Sequence, residues 1–320
     1  NDRVHLYSSP NLLDWTFLSE FGQGIGAHGG VWECPDLFQI KVKGSDEKKW
    51  VMLVSINPGG PNGGSATQYF VGSFDGTHFI KENKEIQWVD WGRDNYAGVT
   101  WSNVPESDGR RLFLGWMSNW QYANVVPTNV WRSAMTVPRE LALIQMDDGY
   151  LLVSNPVGEL ETLRSEKTLV YEEQHGSSSV REVFIDSINL SQCELIFDFE
   201  LLSNSVDSFG IILQNKVNEK LIIGYSDKQK QLFVDRTTAG RSDFSKAFAG
   251  ISKAPYRAGK QVLFHIFLDA SSTELFVDHG NRVLTNLVFP TTEFNQLKIF
   301  SSGGNVIIKR AEFHNLNRIW

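Results

Sequence analysis

Apolar residues in this chain fall in short runs separated by turn-forming clusters, and the 3.6-residue periodicity of an amphipathic helix is scarce. Residues 49–55, 68–73 and 111–116 read as strands, with Gly, Pro, Asn and Asp clusters at 57–64, 75–76 and 107–109 between them. At the start, Val4, Leu6 and Ser8 alternate with His5 and Tyr7 as a half-buried strand does. Asp-Gly pairs at 75–76, 108–109 and 148–149 are local hairpin signals. The pattern predicts an all-β protein.

The two halves differ in texture. Nine of the ten Trp precede residue 132, and the tenth is Trp320. Beyond about residue 165 the runs become cleaner and more aliphatic, at 194–200, 220–225, 231–235, 262–268, 274–278 and 305–309. Eight or so strands at this spacing predict a two-sheet β-sandwich. Residues 156–167 predict a short connecting helix, so the expected division is 1–155, a linker at 156–167, and a sandwich at 168–320. The N-terminal part suits β-propeller blades. At roughly 40–50 residues per blade it holds about three, whereas closure needs about four or more. Sheet edges left open are avoided in folded proteins, so part of a propeller is expected to be missing. The first residues contain no Met, no charged segment and no apolar segment of a signal peptide. A chain beginning inside a strand is expected to be a cut one.

Charge and composition remove several partner classes. The 320 residues carry 30 Lys+Arg against 37 Asp+Glu, a net charge of −7, which gives nucleic acid no electrostatic footing. No apolar run approaches the length of a membrane span. Cys34 and Cys193 are too few for a disulfide scaffold or a cysteine-only zinc site. The His residues show no paired ligand spacing and the Gly-rich segments no phosphate-loop signature, so neither metal nor organic cofactor is expected. A mildly acidic chain rich in Trp and Gly suits a neutral polar ligand such as a sugar.

The sharpest local feature is Gly29-Gly30-Val31-Trp32-Glu33-Cys34-Pro35-Asp36-Leu37. On a regular strand Val31, Glu33 and Pro35 point one way and Trp32, Cys34 and Asp36 the other. A carboxylate between Trp and Cys is expected to be partly desolvated, which raises its pKa and suits a glycosidase general acid. The alternative for Glu33 is an ion pair or a strand-end cap. Cys34 is expected to be small and buried, with no basic neighbour in sequence to activate it.

Here the sequence resembles a known family. Trp32-Glu33-Cys34-Pro35-Asp36 is similar to the acid/base motif of family 32 glycoside hydrolases, the invertases, levanases, inulinases and other fructan β-fructosidases. Residues 91–98 (Trp-Gly-Arg-Asp-Asn-Tyr-Ala-Gly), 115–123 (Gly-Trp-Met-Ser-Asn-Trp-Gln-Tyr-Ala) and 127–141 resemble further family stretches in the same order, as does the Gly/Asn-rich segment 57–73. The likeness is close to about residue 165 and looser beyond, chiefly at 233–237. It implies a five-bladed β-propeller, about three blades of it present, followed by a β-sandwich. It also implies hydrolysis of terminal β-D-fructofuranosyl linkages in fructans (levan, inulin) or sucrose, with retention. Glu33 would be the general acid/base. Trp131 would be an aromatic wall against the fructosyl unit, or else a core Trp. Asp94 would hold a substrate hydroxyl or tune Glu33, or else cap a turn. Asn119 and Trp120 would face the site, or else pack at a strand end. The loop 57–68 would lie on the leaving-group side, or else be a flexible hairpin. Because polymeric fructan is met outside the cell, an extracellular or periplasmic location is expected.

Two family motifs are absent. The Trp-x-Asn-Asp-Pro-Asn-Gly-like motif bearing the nucleophilic Asp and the Arg-Asp-Pro motif of the transition-state stabiliser both belong upstream of Trp32, and neither occurs here. Among local carboxylates, Asp36 is expected on the face opposite Glu33, and nothing specific favours Asp90 or Asp94. The chain is therefore expected to keep the acid/base, to lack a nucleophile, and to be nearly inactive alone. The alternative is a non-catalytic fructan-binding protein. A weaker one is a lectin-like role for residues 165–320.

Overall fold

A computed structural model describes residues 2–175, 179–183, 188–202 and 206–319; Asn1 and Trp320 lie outside them. Apart from two short 3-10 turns, Ala123–Val125 and Gly158–Leu163, every regular element among the described residues is a strand. The expected runs are found with modest extension, for example Lys48–Asn57, Ala66–Phe74 and Arg111–Met117. Asp75-Gly76 turns Ala66–Phe74 back into Phe79–Lys81, and Asp148-Gly149 joins Arg139–Met146 to Gly149–Pro156.

The N-terminal half consists of a two-stranded ribbon and two five-stranded antiparallel sheets, none of which closes on itself. The ribbon pairs Val4–Ser8 with Thr16–Phe21. The first sheet runs Val31–Lys41, Lys48–Asn57, Ala66–Phe74, Phe79–Lys81, with Gln87–Trp88 also on Ala66–Phe74. The second runs Ala134–Met135, Arg111–Met117, Arg139–Met146, Gly149–Pro156, with Tyr96–Thr100 also on Arg111–Met117. Both faces of the first sheet are apolar and covered. Trp32, Met52, Val54, Ile56 and Phe70 pack toward Val4 and Phe21 of the ribbon. Phe38, Val51, Leu53 and Val71 pack toward Phe113 and Leu141 of the second sheet.

The C-terminal half is a sandwich of two six-stranded sheets, twelve strands among the described residues rather than eight or so. The expectation counted only aliphatic runs. Short strands whose apolar residues are interrupted by polar ones, such as Ser179–Val183 and Ile251–Pro255, escaped it. Alternate residues from both sheets, Leu195, Phe197 and Phe199 on one and Leu221, Ile223 and Tyr225 on the other, meet in a single core. Gly158–Leu163 falls within the span expected to join the halves, and the strand Arg164–His175 starts inside that same span.

The two halves are joined by buried charge as well as apolar packing. Arg139 donates to Asp90 at 2.9 Å, and to Glu274 and the Thr285 hydroxyl at 2.7 Å each. Arg236 of the sandwich donates to Asp94 at 2.6 Å. Gly92 lies so close to the sandwich that a Cβ there would stand 2.0 Å from the Thr285 carbonyl oxygen. Met117, Tyr122 and Val126 pack against Phe248, Leu287 and Phe289 across the same junction.

Acid sensitivity follows from a second buried cluster. Burial of Glu194 works to raise its pKa, but hydrogen bonds from Arg164 (2.6 and 2.7 Å) and His265 (2.6 Å) outweigh it and pull the carboxyl down to about 2. A depressed carboxylate stabilises the fold above its unfolded pKa, and that stabilisation is lost as pH falls through the folded value. Roughly 3 kcal/mol is expected to disappear between about pH 4.5 and 2. Urea denaturation at both ends of that window should show it, and Glu194→Gln should flatten the slope.

Candidate active site

The strand Val31–Lys41 does not keep the regular alternation read from its sequence. Glu33 lies opposite Ser55 but Asp36 opposite Leu53, so three residues span what two span on the partner strand. This is a β-bulge. Cys34, at φ 48, takes the backbone through it, and Pro35, which cannot donate to a ladder, is the residue type that bulges accommodate. The core confirms the shift: Trp32 and Phe38, an even number of residues apart, are buried in opposite clusters. Asp36 therefore shares a face with Glu33, against the expectation. Cys34-Pro35 inside a strand was the sequence signal for this.

The bulge also overturns the expected burial. Glu33 and Cys34 are both exposed. Glu33 sits on the side facing the second sheet, where the Tyr96 hydroxyl donates to its Oε2. Burial and that bond to Glu33 push the Tyr96 phenol well above its usual pKa, so it stays a donor. Three residues beyond Glu33, Asp36 accepts the Thr100 amide at 2.7 Å. Both carboxylates are thus tied to the strand Tyr96–Thr100, which carries its own irregularity between Tyr96 and Val99, with Ala97 at φ 51. Two non-glycine residues in the left-handed region on facing strands is costly backbone, of the kind that clusters at functional sites.

From Tyr96 a file of aromatic rings leads outward. Its ring lies 6.3 Å from that of Trp116, which lies 5.0 Å from Trp120. Trp120 is 48% exposed. A cleft of about 640 Å³ opens beside the start of the Glu33 strand, lined by His28, Gly30, Val31, Asn57 and Pro58 among others.

The remaining expected residues are placed unevenly. Trp131 is 46% exposed, which excludes a core role. Asp94 is fully buried, and its oxygens are taken by Arg236, the Leu287 amide and the Tyr122 hydroxyl. Neither oxygen is open to a sugar hydroxyl in this arrangement, and Asp94 faces the sandwich because its carboxylate needs the buried guanidinium. Asn119 is also fully buried. Its amide nitrogen donates to the carbonyls of Arg93 (2.8 Å) and Gly63 (3.2 Å), and its oxygen accepts from Gln121 (3.0 Å) and Ser65 (3.4 Å). Gly64, at φ +72, makes room for it, since a Cβ there would stand 2.1 Å from the Asn119 oxygen. The loop 57–68 is accordingly pinned, and Asn62 ties it to the Trp91 carbonyl at 2.6 Å and to the Lys253 carbonyl at 2.9 Å. Tyr96 and Trp116 were missed as site residues, although both lie in the quoted stretches. Tyr96 meets Glu33 between two bulged strands, and Trp116 stands behind Tyr96.

A retaining glycosidase needs its two carboxyl groups about 5–5.5 Å apart. Positions two apart on a strand lie about 7 Å apart, and the Asp36 carboxylate is held by the Thr100 amide. Asp90 is buried against Arg139. Among the described residues no group of three His, Cys, Asp or Glu side chains is placed to hold a metal. No helix among them is long and apolar enough to cross a membrane.

Comparison with known proteins sets this geometry in context. Residues 1–156 match the glycosyl hydrolases family 32 N-terminal domain, and residues 159–315 the family 32 C-terminal domain. The chain is 43% identical over 324 residues to a levanase of Bacillus subtilis, with 100% of this chain and 48% of the levanase covered. It is 36% identical to an extracellular exo-inulinase of Aspergillus niger, with 99% of this chain and 60% of that protein covered. Among solved structures, the exo-inulinase of Aspergillus awamori superposes with a TM-score of 0.90 at 31% identity, covering 100% of this chain and 63% of that one. A β-fructofuranosidase of Schwanniomyces occidentalis, complexed with fructosyl-erythritol, gives 0.87 at 26% identity over 99% of this chain and 65% of its own. The chain thus spans about half to two thirds of the length of these relatives.

Proposed function

The chain belongs to glycosyl hydrolase family 32, and on that premise we propose that it is the acid/base-bearing portion of a retaining β-fructosidase acting on fructans or sucrose. The observation that carries the reading is an exposed Glu33 held by a phenol at the head of an aromatic file. Glu33 would protonate the glycosidic oxygen as the fructosyl group leaves for a nucleophile, then take a proton from the water that releases fructose. The Tyr96 hydroxyl would orient the carboxyl in both steps. Trp120 would offer its face to the C–H surface of the sugar, with Trp131 as a second exposed indole.

Asp36 is held by the Thr100 amide and Asp90 and Asp94 are buried against arginines, so on this reading the nucleophile would come from outside these 320 residues. The ribbon and two five-stranded sheets would then be a partial five-bladed propeller, with division of the chain at 1–155, 156–167 and 168–320. The chain alone would bind fructosides and turn them over scarcely at all. The whole protein would act outside the cell, as an exo-inulinase named extracellular does.

Sugar binding tests the reading without requiring turnover. Titration of 1-kestose into the chain, followed by tryptophan fluorescence, is expected to saturate in the millimolar range. Trp120→Ala should weaken it about tenfold, the loss of one stacking face. Since Trp120 is exposed, its removal should leave the thermal midpoint nearly unchanged. Equal affinity in the variant would contradict its role.

A further inference from the structure

Among the links between the sandwich and the sugar-site loops, one is a buried arginine that meets the turn next to Trp120. Arg236, on the strand Gln231–Thr238, donates through Nη1 to Asp94 (2.6 Å) and the Leu287 carbonyl (2.9 Å), and through Nε to the Phe248 carbonyl (2.9 Å). Its Nη2 donates to the Tyr122 hydroxyl at 2.8 Å, and that hydroxyl donates to the other Asp94 oxygen at 2.7 Å. The guanidinium lies 3.9 Å from the Phe248 ring centroid and 5.3 Å from that of Tyr122.

Tyr122 closes the turn that carries Trp120. The amides of Tyr122 and Ala123 donate to the Asn119 carbonyl at 3.0 and 2.8 Å. At the other end, the Asn119 side chain gathers backbone groups of Arg93, Gly63, Ser65 and Gln121, and the Trp120 amide donates to the Ser65 hydroxyl at 3.1 Å. The exposed indole therefore stands on a turn whose two ends are fixed, one by Asn119 and one by the sandwich. We propose that Arg236 and Tyr122 are positioning residues for the sugar site, the C-terminal sandwich holding through them the turn that presents Trp120. The physical gain is preorganisation: an aromatic platform already in place loses less conformational freedom when a sugar stacks on it. The part concerning sugar rests on the fructoside reading above; the part concerning the turn does not.

The test uses the full chain labelled with 5-fluorotryptophan, the Trp120 resonance being assigned by its loss in Trp120→Phe. Tyr122→Phe deletes only the hydroxyl, and is expected to move the Trp120 resonance in the absence of sugar and to weaken 1-kestose binding about fivefold, the scale of one lost hydrogen bond. Arg236→Lys should act in the same direction. Glu274→Gln, which weakens the other charge network between the halves, should leave the Trp120 resonance and the affinity unchanged. An unmoved resonance with unchanged affinity in Tyr122→Phe would overturn the proposal, and so would equal movement in Glu274→Gln. If the wild-type chain fails to bind 1-kestose, the fructoside reading fails, and the Trp120 resonance alone decides the positioning.

Discussion

Asp90→Ala is expected to destabilise the protein by about 3–5 kcal/mol, the cost of breaking a buried ion pair from one side. Asp90 is 2% exposed and accepts from Arg139 (2.9 Å), the Thr285 amide (2.9 Å), the Thr285 hydroxyl (2.6 Å) and the Gly92 amide (2.7 Å). Removing it leaves a buried guanidinium with only Glu274 and Thr285, and strands backbone donors from both halves away from water. Asp108→Ala is the contrast. Asp108 also meets an arginine, Arg110, at 2.7 Å, but both side chains reach solvent, so little change is expected. Urea denaturation of the two variants separates the cases. A near-neutral Asp90→Ala would mean that the junction relaxes or admits water, and that the halves are less firmly joined than the hydrogen bonds imply.

Much of the architecture was legible because strand signals are local. Runs such as 49–55 and 262–268, and Asp-Gly turns such as 148–149, carry their own hairpin and burial logic. What escaped depends on partners distant in sequence. Asp94 looked like a site acid in its stretch, yet its carboxylate answers to Arg236, 142 positions on. Asn119, read as facing the site or packing at a strand end, stitches backbone from three loops. The bulge at Glu33 reverses the facing of Asp36, and alternation alone cannot register one extra residue. The Cys34-Pro35 pair signalled it locally. Burial of Glu33 failed as an expectation because Trp32 packs on the other face and Cys34 lies exposed in the bulge.

Glu33→Gln is expected to produce the largest functional loss. The amide keeps the size of the carboxyl and can still meet the Tyr96 hydroxyl, but it neither delivers a proton to the leaving oxygen nor accepts one from water. General acid–base catalysis contributes about 10²- to 10⁴-fold, and here one group would serve both steps. On the proposed reading the nucleophile lies outside these 320 residues, so the effect is read where one is supplied. A chimera joining the upstream portion of the Bacillus subtilis levanase, the part outside its match to this chain, ahead of Asn1 provides that setting. Release of fructose from levan, inulin and sucrose should be compared for the chain alone, the chimera, and the chimera with Glu33→Gln. The expected result is near-zero turnover by the chain, ready turnover by the chimera, and a loss of at least about 10²-fold on substitution. A chimera with Glu33→Gln within tenfold of its parent, or a 320-residue chain that matches the chimera unaided, would contradict the account.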